Sequence, residues 1–261
     1  MTRATGGQLD VDVDAPWQGP VPSPETRHPI AAMIDQVTDL LGGLGFVPTR
    51  SPLVEDVLHS FDLLGVPEDH ATRSPAHTFY LDDGGVLRSH TTSSVVRVLR
   101  EEPGRAERRI LVGGACFRNT TESPRFVTQF HQMEAAAVGP EVVLGDALGL
   151  AEVVLDDLLG PHHEARFRFR PLPYVSPGFS VDASCSSCDR AGCQLCGGRG
   201  FLEVISGGAL TAAVRSAAKI PDGSNAVAVA VSLERLLAIR HRVADIRPFL
   251  SRSLQDLSQI G

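Results

Sequence analysis

Gln129-Phe130-His131-Gln132-Met133-Glu134-Ala135-Ala136-Ala137-Val138 reads as a strand, with Phe130, Gln132 and Glu134 on one face by the two-residue period. The run before it, Arg109 to Arg118, reads as a second strand, and the polar segment Asn119 to Thr128 joins the two. Together they form a hairpin with an arginine on one arm and Gln132 and Glu134 on the other. A guanidinium forks onto phosphate oxygens, and a carboxylate pairs with an amine. This hairpin therefore suits a substrate that carries both a phosphate and an ammonium.

Working outward from the hairpin, helices and short strands alternate without regular βαβ units. Ile30, Met33, Ile34, Val37, Leu40, Leu41 and Leu44 share one helical face, ended by Gly42, Gly43 and Gly45. Phe46-Val47, Pro52-Leu53-Val54 and Phe79-Tyr80-Leu81 read as strand fragments. Helices are expected over Ser93–Arg100, Gly145–Leu159 and Ala209–Ala218, with a last one starting near Leu233. Further strands are expected at Phe167–Phe169, Phe201–Ile205 and Ala226–Val231. Many strands with few parallel crossovers predict an α+β fold, an antiparallel sheet flanked by helices. Residues 1–27, rich in Pro, Gly and acidic side chains, read as an extended lead-in with a short strand at Leu9–Val13. Residues 28–261 read as one catalytic-type domain.

Four cysteines crowd one short segment: Cys185-Ser-Ser-Cys188, then Cys193-Gln-Leu-Cys196. Two CxxC hooks this close can wrap one tetrahedral ion, so a structural Zn2+ in a small insert is expected at residues 185–196. Cys116 stands apart and reads as a core residue rather than a nucleophile. The chain of 261 residues is 43% hydrophobic and 21% charged, with net charge −7 and Lys219 as its only lysine. An acidic total weighs against a dedicated nucleic-acid binder. No signal-peptide pattern and no membrane-length apolar run is seen, so a cytoplasmic location without membrane contact is expected. Neither a phosphate-binding glycine loop of the Walker type nor a G-x-S-x-G elbow occurs.

Other residues take meaning from their neighbours. His90 sits in the polar run Arg88-Ser89-His90-Thr91-Thr92 before a helix, where a cap or core role is the ordinary reading. Glu203 is placed on the same strand face as Phe201 and Ile205. Glu234-Arg235 follows a strand, where Arg235 could hold a second phosphate. The alternating Arg166, Arg168 and Arg170 read as a solvated basic face rather than an RNA track.

The ordered set resembles the α-subunit of phenylalanyl-tRNA synthetase, a class II aminoacyl-tRNA synthetase. Gly45-Phe46 with Pro52-Leu53-Val54-Glu55 resembles its motif 1. Phe117-Arg118-Asn119 with Phe130-His131-Gln132-Met133-Glu134 resembles motif 2, and Leu233-Glu234-Arg235-Leu236 resembles motif 3. The cysteine segment followed by Gly200-Phe201-Leu202-Glu203 matches a metal-bearing version of the family. The resemblance implies activation of an amino acid by ATP and Mg2+ as its adenylate. Arg118 would grip the α-phosphate, Arg235 the γ-phosphate, and Glu203 would help hold Mg2+. Asn119, Thr120 and Phe130 would face the nucleotide, and His90, Thr92, Gln132 and Glu134 the amino acid.

The departures are as specific as the matches. Thr120 replaces an acidic residue expected on the adenine, and Ala230 and Ser232 replace motif 3 glycines. Leu172 and Tyr174 replace two pocket phenylalanines, and Gly207 a small alanine, which would open one side. This pattern implies a paralogue with a changed substrate. It would pass its amino acid to a carrier-protein thiol or a small amine, tRNA being uncertain, and would form a homodimer by default. The competing readings are a catalytically decayed binding protein and a tRNA ligase α-subunit that works with a separate β chain.

Overall fold

The structure is a computed structural model that describes residues 27–251, so the strand expected at Leu9–Val13 lies outside the described residues. The first helix, α1 (Pro29–Gly43), starts with Pro29 at the position where a missing N–H costs nothing. The His28 ring nitrogen accepts from Ile30 N at 3.2 Å. Ile30, Met33, Val37 and Leu41 give it one buried stripe. Gly45, at φ +83, turns the chain out of it.

Six further strands join the short β1 (Val47–Pro48) in one sheet. They are β4 (Arg108–Phe117), β5 (Gln129–Gly139), β6 (Ala165–Phe169), β7 (Val175–Ser184), β8 (Phe201–Leu210) and β9 (Asn225–Ser232). The order is β1-β4-β5-β9-β8-β7-β6. Every pairing is antiparallel except β1 with β4, which is parallel. The sheet is thus mixed, not purely antiparallel as expected. A separate pair, β2 (Val54–Glu55) and β3 (Val86–Leu87), lies apart.

The sheet buries a core on each face. On one side α1, α4 (Leu144–Leu159) and α6 (Leu233–Arg240) cover Val227, Val229, Val231 and Ile205. On the other, α3 (Thr92–Glu101) and α5 (Ala212–Ala217) cover Ile110, Val112, Ala136 and Ala228, with the short α2 (Val57–Ser60) packed outside against α3. Val112, Leu202 and Ile205 are at most 1% exposed, so truncating either of the last two to alanine should cost about 2–5 kcal/mol. The helices on the second face stop short of the sheet's other end, and the bare strip becomes a cleft. Among the described residues no helix is long and apolar enough to cross a membrane.

Three expectations need correction. Strand β7 was not anticipated, because Ser176-Pro177-Gly178 has the composition of a turn. In the fold it is a register shift between Val175 and Gly178 inside one strand. The helix expected from Ala209 begins only at Ala212, since β8 runs on to Leu210, and Thr211 caps the helix by accepting from Val214 N. Of Phe79-Tyr80-Leu81, only a bridge from Tyr80 to Val86 forms.

Candidate active site

The antiparallel register lines up one row of facing residues across the sheet: Val112, Glu134, Ala230, Ser206, Ser180 and Arg168. Directly opposed residues point to the same face. A carboxylate and a guanidinium therefore stand four strands apart, about 19 Å at the usual strand spacing, with only small side chains between them. A cleft of about 630 Å³ opens over this trough.

One end of the cleft is strongly basic. Arg118, Arg125, Arg168, Arg170, Arg199 and Arg235 all line it, against the carboxylates of Glu203 and Glu234. Arg118 follows directly on β4, and its N–H to Thr128 O at 2.8 Å closes the hairpin loop. Its guanidinium lies over the Phe130 ring at 5.2 Å. Arg235, in the first turn of α6, donates to Glu203 O at 3.0 Å. Burial lowers its pKa to about 10, with Arg125, Arg118 and Arg170 pushing the same way and Glu203 opposing. Burial likewise lowers that of Arg118, opposed by Cys116 and aided by Arg170. These cations feel one another, and an incoming polyanion would relieve that repulsion.

Glu203 is ion-paired with Arg170 and lies 3.5 Å from Arg168, which forks onto Asp182 at 2.5 and 2.8 Å. No carboxylate ion-pairs with Arg118, Arg125, Arg199 or Arg235 among the described residues. Glu234 serves the frame: it accepts from the His131 backbone N–H at 2.8 Å and contacts its ring at 2.7 Å.

The other end narrows to a recess of about 30 Å³, lined by His90, Thr92, Gln132, Glu134, Tyr174 and Ala230 among others. Glu134 is 2% exposed and accepts from Thr91 Oγ1 at 2.5 Å and Thr92 Oγ1 at 3.0 Å, both at the start of α3. Burial raises its pKa to about 7, held in check by those hydroxyls and by Arg88. Gln132 Oε1 accepts from Thr91 N at 3.3 Å, which leaves its NH2 as a donor. His90 stacks on Tyr174 with centroids 5.5 Å apart. Burial, then Arg118 and Arg88, lowers the His90 pKa to about 4, so it is neutral at pH 7. Arg88, 1% exposed, binds Ala115 O at 2.8 Å and Gly113 O at 3.0 Å and fixes the hairpin under the recess.

Beside the basic end sits the cysteine segment. Its four Sγ atoms lie within 4.8 Å of one another. The separations for 185–193, 188–196 and 193–196 are 3.8, 3.9 and 3.7 Å. Four sulfurs at the usual Zn–S length of about 2.3 Å form a tetrahedron with edges of about 3.8 Å, so the set fits a closed zinc site. Burial opposes ionisation of Cys196. N–H donors from Cys193 and Gly200, with neighbouring thiols, nevertheless bring its pKa down to about 6. Cys116 is wholly buried, and burial pushes its thiol up to about 12, as a core residue requires.

The structure brings Arg118, Phe130, Gln132, His90, Leu172, Tyr174, Glu203 and Arg235 to one cleft, with Thr92, Glu134 and Gly207 on the adjoining recess. Asn119 and Thr120 are not on its walls; Asn119 Nδ2 instead donates to Pro75 O at 2.7 Å. Gly207 does not open the recess. A Cβ there would meet Ala228 O at 2.6 Å and the Phe179 ring at 3.1 Å, within the sheet. Glu203 and Ile205 lie on opposite faces. Val181 faces Ile205 while Asp182 faces Glu203, so Val204 is an unpaired bulge that turns Glu203 to the cleft. Arg168 and Arg170 belong to the cleft rather than to a solvated face, and Arg125 and Arg199 join them. Only their pairing across the unforeseen β7 could have revealed this.

The model for the tRNA synthetases class II core domain (F) matches residues 10–260. Among curated relatives, the phenylalanine–tRNA ligase alpha subunit of Chlamydia abortus (strain DSM 27085 / S26/3) is 35% identical over 250 residues, 95% of this chain and 72% of that one. The same subunit of Gloeobacter violaceus (strain ATCC 29082 / PCC 7421) is 32% identical, with the same coverage. In fold, the chain resembles pyrrolysyl-tRNA synthetase from Desulfitobacterium hafniense at a TM-score of 0.66 and 20% identity, covering 88% of this chain and 76% of that one. A basic cleft on a mixed sheet, a family match over nearly the whole length and relatives above 30% identity agree: the chain belongs to the class II aminoacyl-tRNA synthetase core family and is a ligase of that family.

Proposed function

We propose that this ligase joins an amino acid to AMP, using ATP, and then passes the aminoacyl group to an acceptor. The observation that carries the reading is the convergence of Arg118 and Arg235, far apart in the chain, on one cleft whose other end is the Glu134 recess. The amino-acid carboxylate attacks the α-phosphorus of ATP; a new P–O bond forms, the bond to the β-phosphate breaks, and pyrophosphate leaves. No protein nucleophile is needed. The chain contributes positioning and preorganised charge. Arg118 grips the α-phosphate, Arg235 the γ-phosphate, and Phe130 stacks under Arg118. Glu134, Gln132, Thr92 and His90 orient the amino acid.

Glu203, on the cleft wall beside Asp182, suits a Mg2+ that is shared with substrate phosphates. Such an ion would neutralise charge on the polyphosphate. Arg168 and Arg170, which hold the two carboxylates, are placed to fork onto phosphate instead. The cysteine set would hold Zn2+ as a structural ion with no position left for water. The named relatives are tRNA ligase alpha subunits, which supports tRNA as acceptor and a separate β chain as partner. The formal charge of −7 favours the second reading, a carrier-protein thiol or small amine. A two-fold dimer through exposed Leu44, Val47, Leu53 and Val54 completes the proposal and is checked by light scattering.

Amino-acid-dependent ATP–pyrophosphate exchange tests the first step. Exchange with at least one amino acid is expected; none with any, from folded zinc-loaded protein, overturns the reading. Transfer to tRNA with and without an added β chain, against transfer to thiol or amine acceptors, decides the second step.

A further inference from the structure

We infer that the recess next to Glu134 selects a small α-amino acid, with a side chain of at most two heavy atoms, in the class of glycine, alanine and serine. The inference rests on the adenylation reading and names its substrate. The recess holds about 30 Å³, whereas a cavity that accepts benzene measures about 150 Å³. At about 10–15 Å³ for one water, there is room for two or three heavy atoms. An ammonium reaching the Glu134 carboxylate, which lines the recess and not the wider cleft, uses one of them. What is left fits a methyl or hydroxymethyl group and rejects a phenyl ring.

Two residues set this limit. Ala230 stands in the cross-strand row between Glu134 and Ser206, so its methyl rises from the recess floor between the carboxylate and the serine hydroxyl. Tyr174 closes the wall: its ring is stacked on His90, and its phenol engages the Thr92 hydroxyl, which itself bonds Glu134. Both are pinned, so the ring cannot swing aside without breaking that network. Much of the wide part of the cleft is lined by the arginines that would receive the triphosphate, so a large side chain that overflowed the recess would have to lie along Val66, Leu172 and Pro173 at its edge.

The test is ATP–pyrophosphate exchange over glycine, alanine, serine, 2-aminobutyrate, valine and phenylalanine. It is paired with calorimetry of the sulfamoyl-adenosine analogues of alanine and phenylalanine. The expected result is a kcat/KM for the best small amino acid at least 100-fold above phenylalanine, with the alanyl analogue bound at least 100-fold tighter. Ala230→Gly and Tyr174→Ala should each shrink that ratio at least 10-fold by admitting larger substrates, with zinc content and Tm reporting intact folding. Phenylalanine used as well as alanine, with exchange robust, overturns this inference alone. Absence of exchange with all six and with every other amino acid overturns the adenylation reading and this inference with it. Should Tyr174→Ala not fold, the Ala230→Gly ratio decides.

Discussion

The two ends of the cleft are built on opposite principles. The basic end is assembled from distant segments: Arg118 after β4, Arg168 and Arg170 at the edge strand, Arg199 from the cysteine segment and Arg235 from α6. It is wide, wet and held apart by like charge. The recess comes from neighbouring strands and the first turn of α3, and is closed by hydrogen bonds and tight contact. Charge at the first end tolerates shifts of an ångström; packing at the second does not. On the proposed reading, the basic end can therefore persist while the recess is rebuilt for another substrate.

The contrast breaks most sharply at Arg118 or Arg235. Arg118→Ala or Arg235→Ala should lower exchange by about 10²–10³-fold, about 2.7–4 kcal/mol as for other transition-state donors. Zinc content and binding at the recess should stay unchanged, which elemental analysis and amino-acid titration would check. Metal removal comes next. Arg199 Nε binds Cys196 O at 3.3 Å, so the cysteine segment carries one cleft arginine directly. Chelation under conditions where the sheet stays folded should raise KM for ATP about 10-fold, the low end of the usual effect on a supported site. KM for the amino acid should stay nearly constant; equal changes in both would mean the segment supports the whole domain.

A pH titration sharpens the recess side. The neutral His90, with a pKa near 4, gives up a proton that the unfolded chain keeps below 6.5, so its contribution to stability falls as pH drops from 6.5 toward 4. Glu134 does the reverse. With a pKa near 7, it keeps a proton that the unfolded chain loses above 4.5, and that contribution is lost as pH rises to 7. Between about 4.5 and 6.5 the two cancel. Glu134→Gln should leave His90 unopposed, so that relative to wild type the variant loses up to about 1.4 kcal/mol per pH unit on acidification through that window. Parallel denaturation curves for the two proteins would refute the pairing.

The smallest effect is expected at Gly197, at φ +62, where a Cβ would meet Arg125 Nη1 at 2.9 Å. Gly197→Ala should cost about 1–2 kcal/mol of backbone strain and raise KM for ATP a few fold. An unchanged KM would separate Arg125 from nucleotide binding.

What could be read from the residues alone follows the same division. The hairpin was legible because Phe130, Gln132 and Glu134 alternate without interruption, and the cysteine set because CxxC spacing fixes its own geometry. The recess was legible in identity but not in size, since Gly207 suggests an opening that its place in the sheet denies. The basic end was half hidden. Arg168 and Arg170 face the cleft only because they pair with β7, whose Ser176-Pro177-Gly178 imitates a turn. Asn119 looked like a nucleotide contact by its position after Arg118, yet its amide is spent on Pro75. Patterns local to a strand show themselves in sequence, whereas partners chosen by register do not.

The bulge at Val204 carries a consequence for how such a site can change. One unpaired residue decides whether Glu203 looks into the cleft, beside four arginines with no carboxylate partner among the described residues, or into grease beneath α4 and α6. Inserting one residue opposite Val204, between Val181 and Asp182, would pair the bulge, drive an acid into the hydrocarbon layer and bring Leu202 up to the cleft in its stead. The acidity of this wall is thus written in the count of residues along a strand as much as in their kinds.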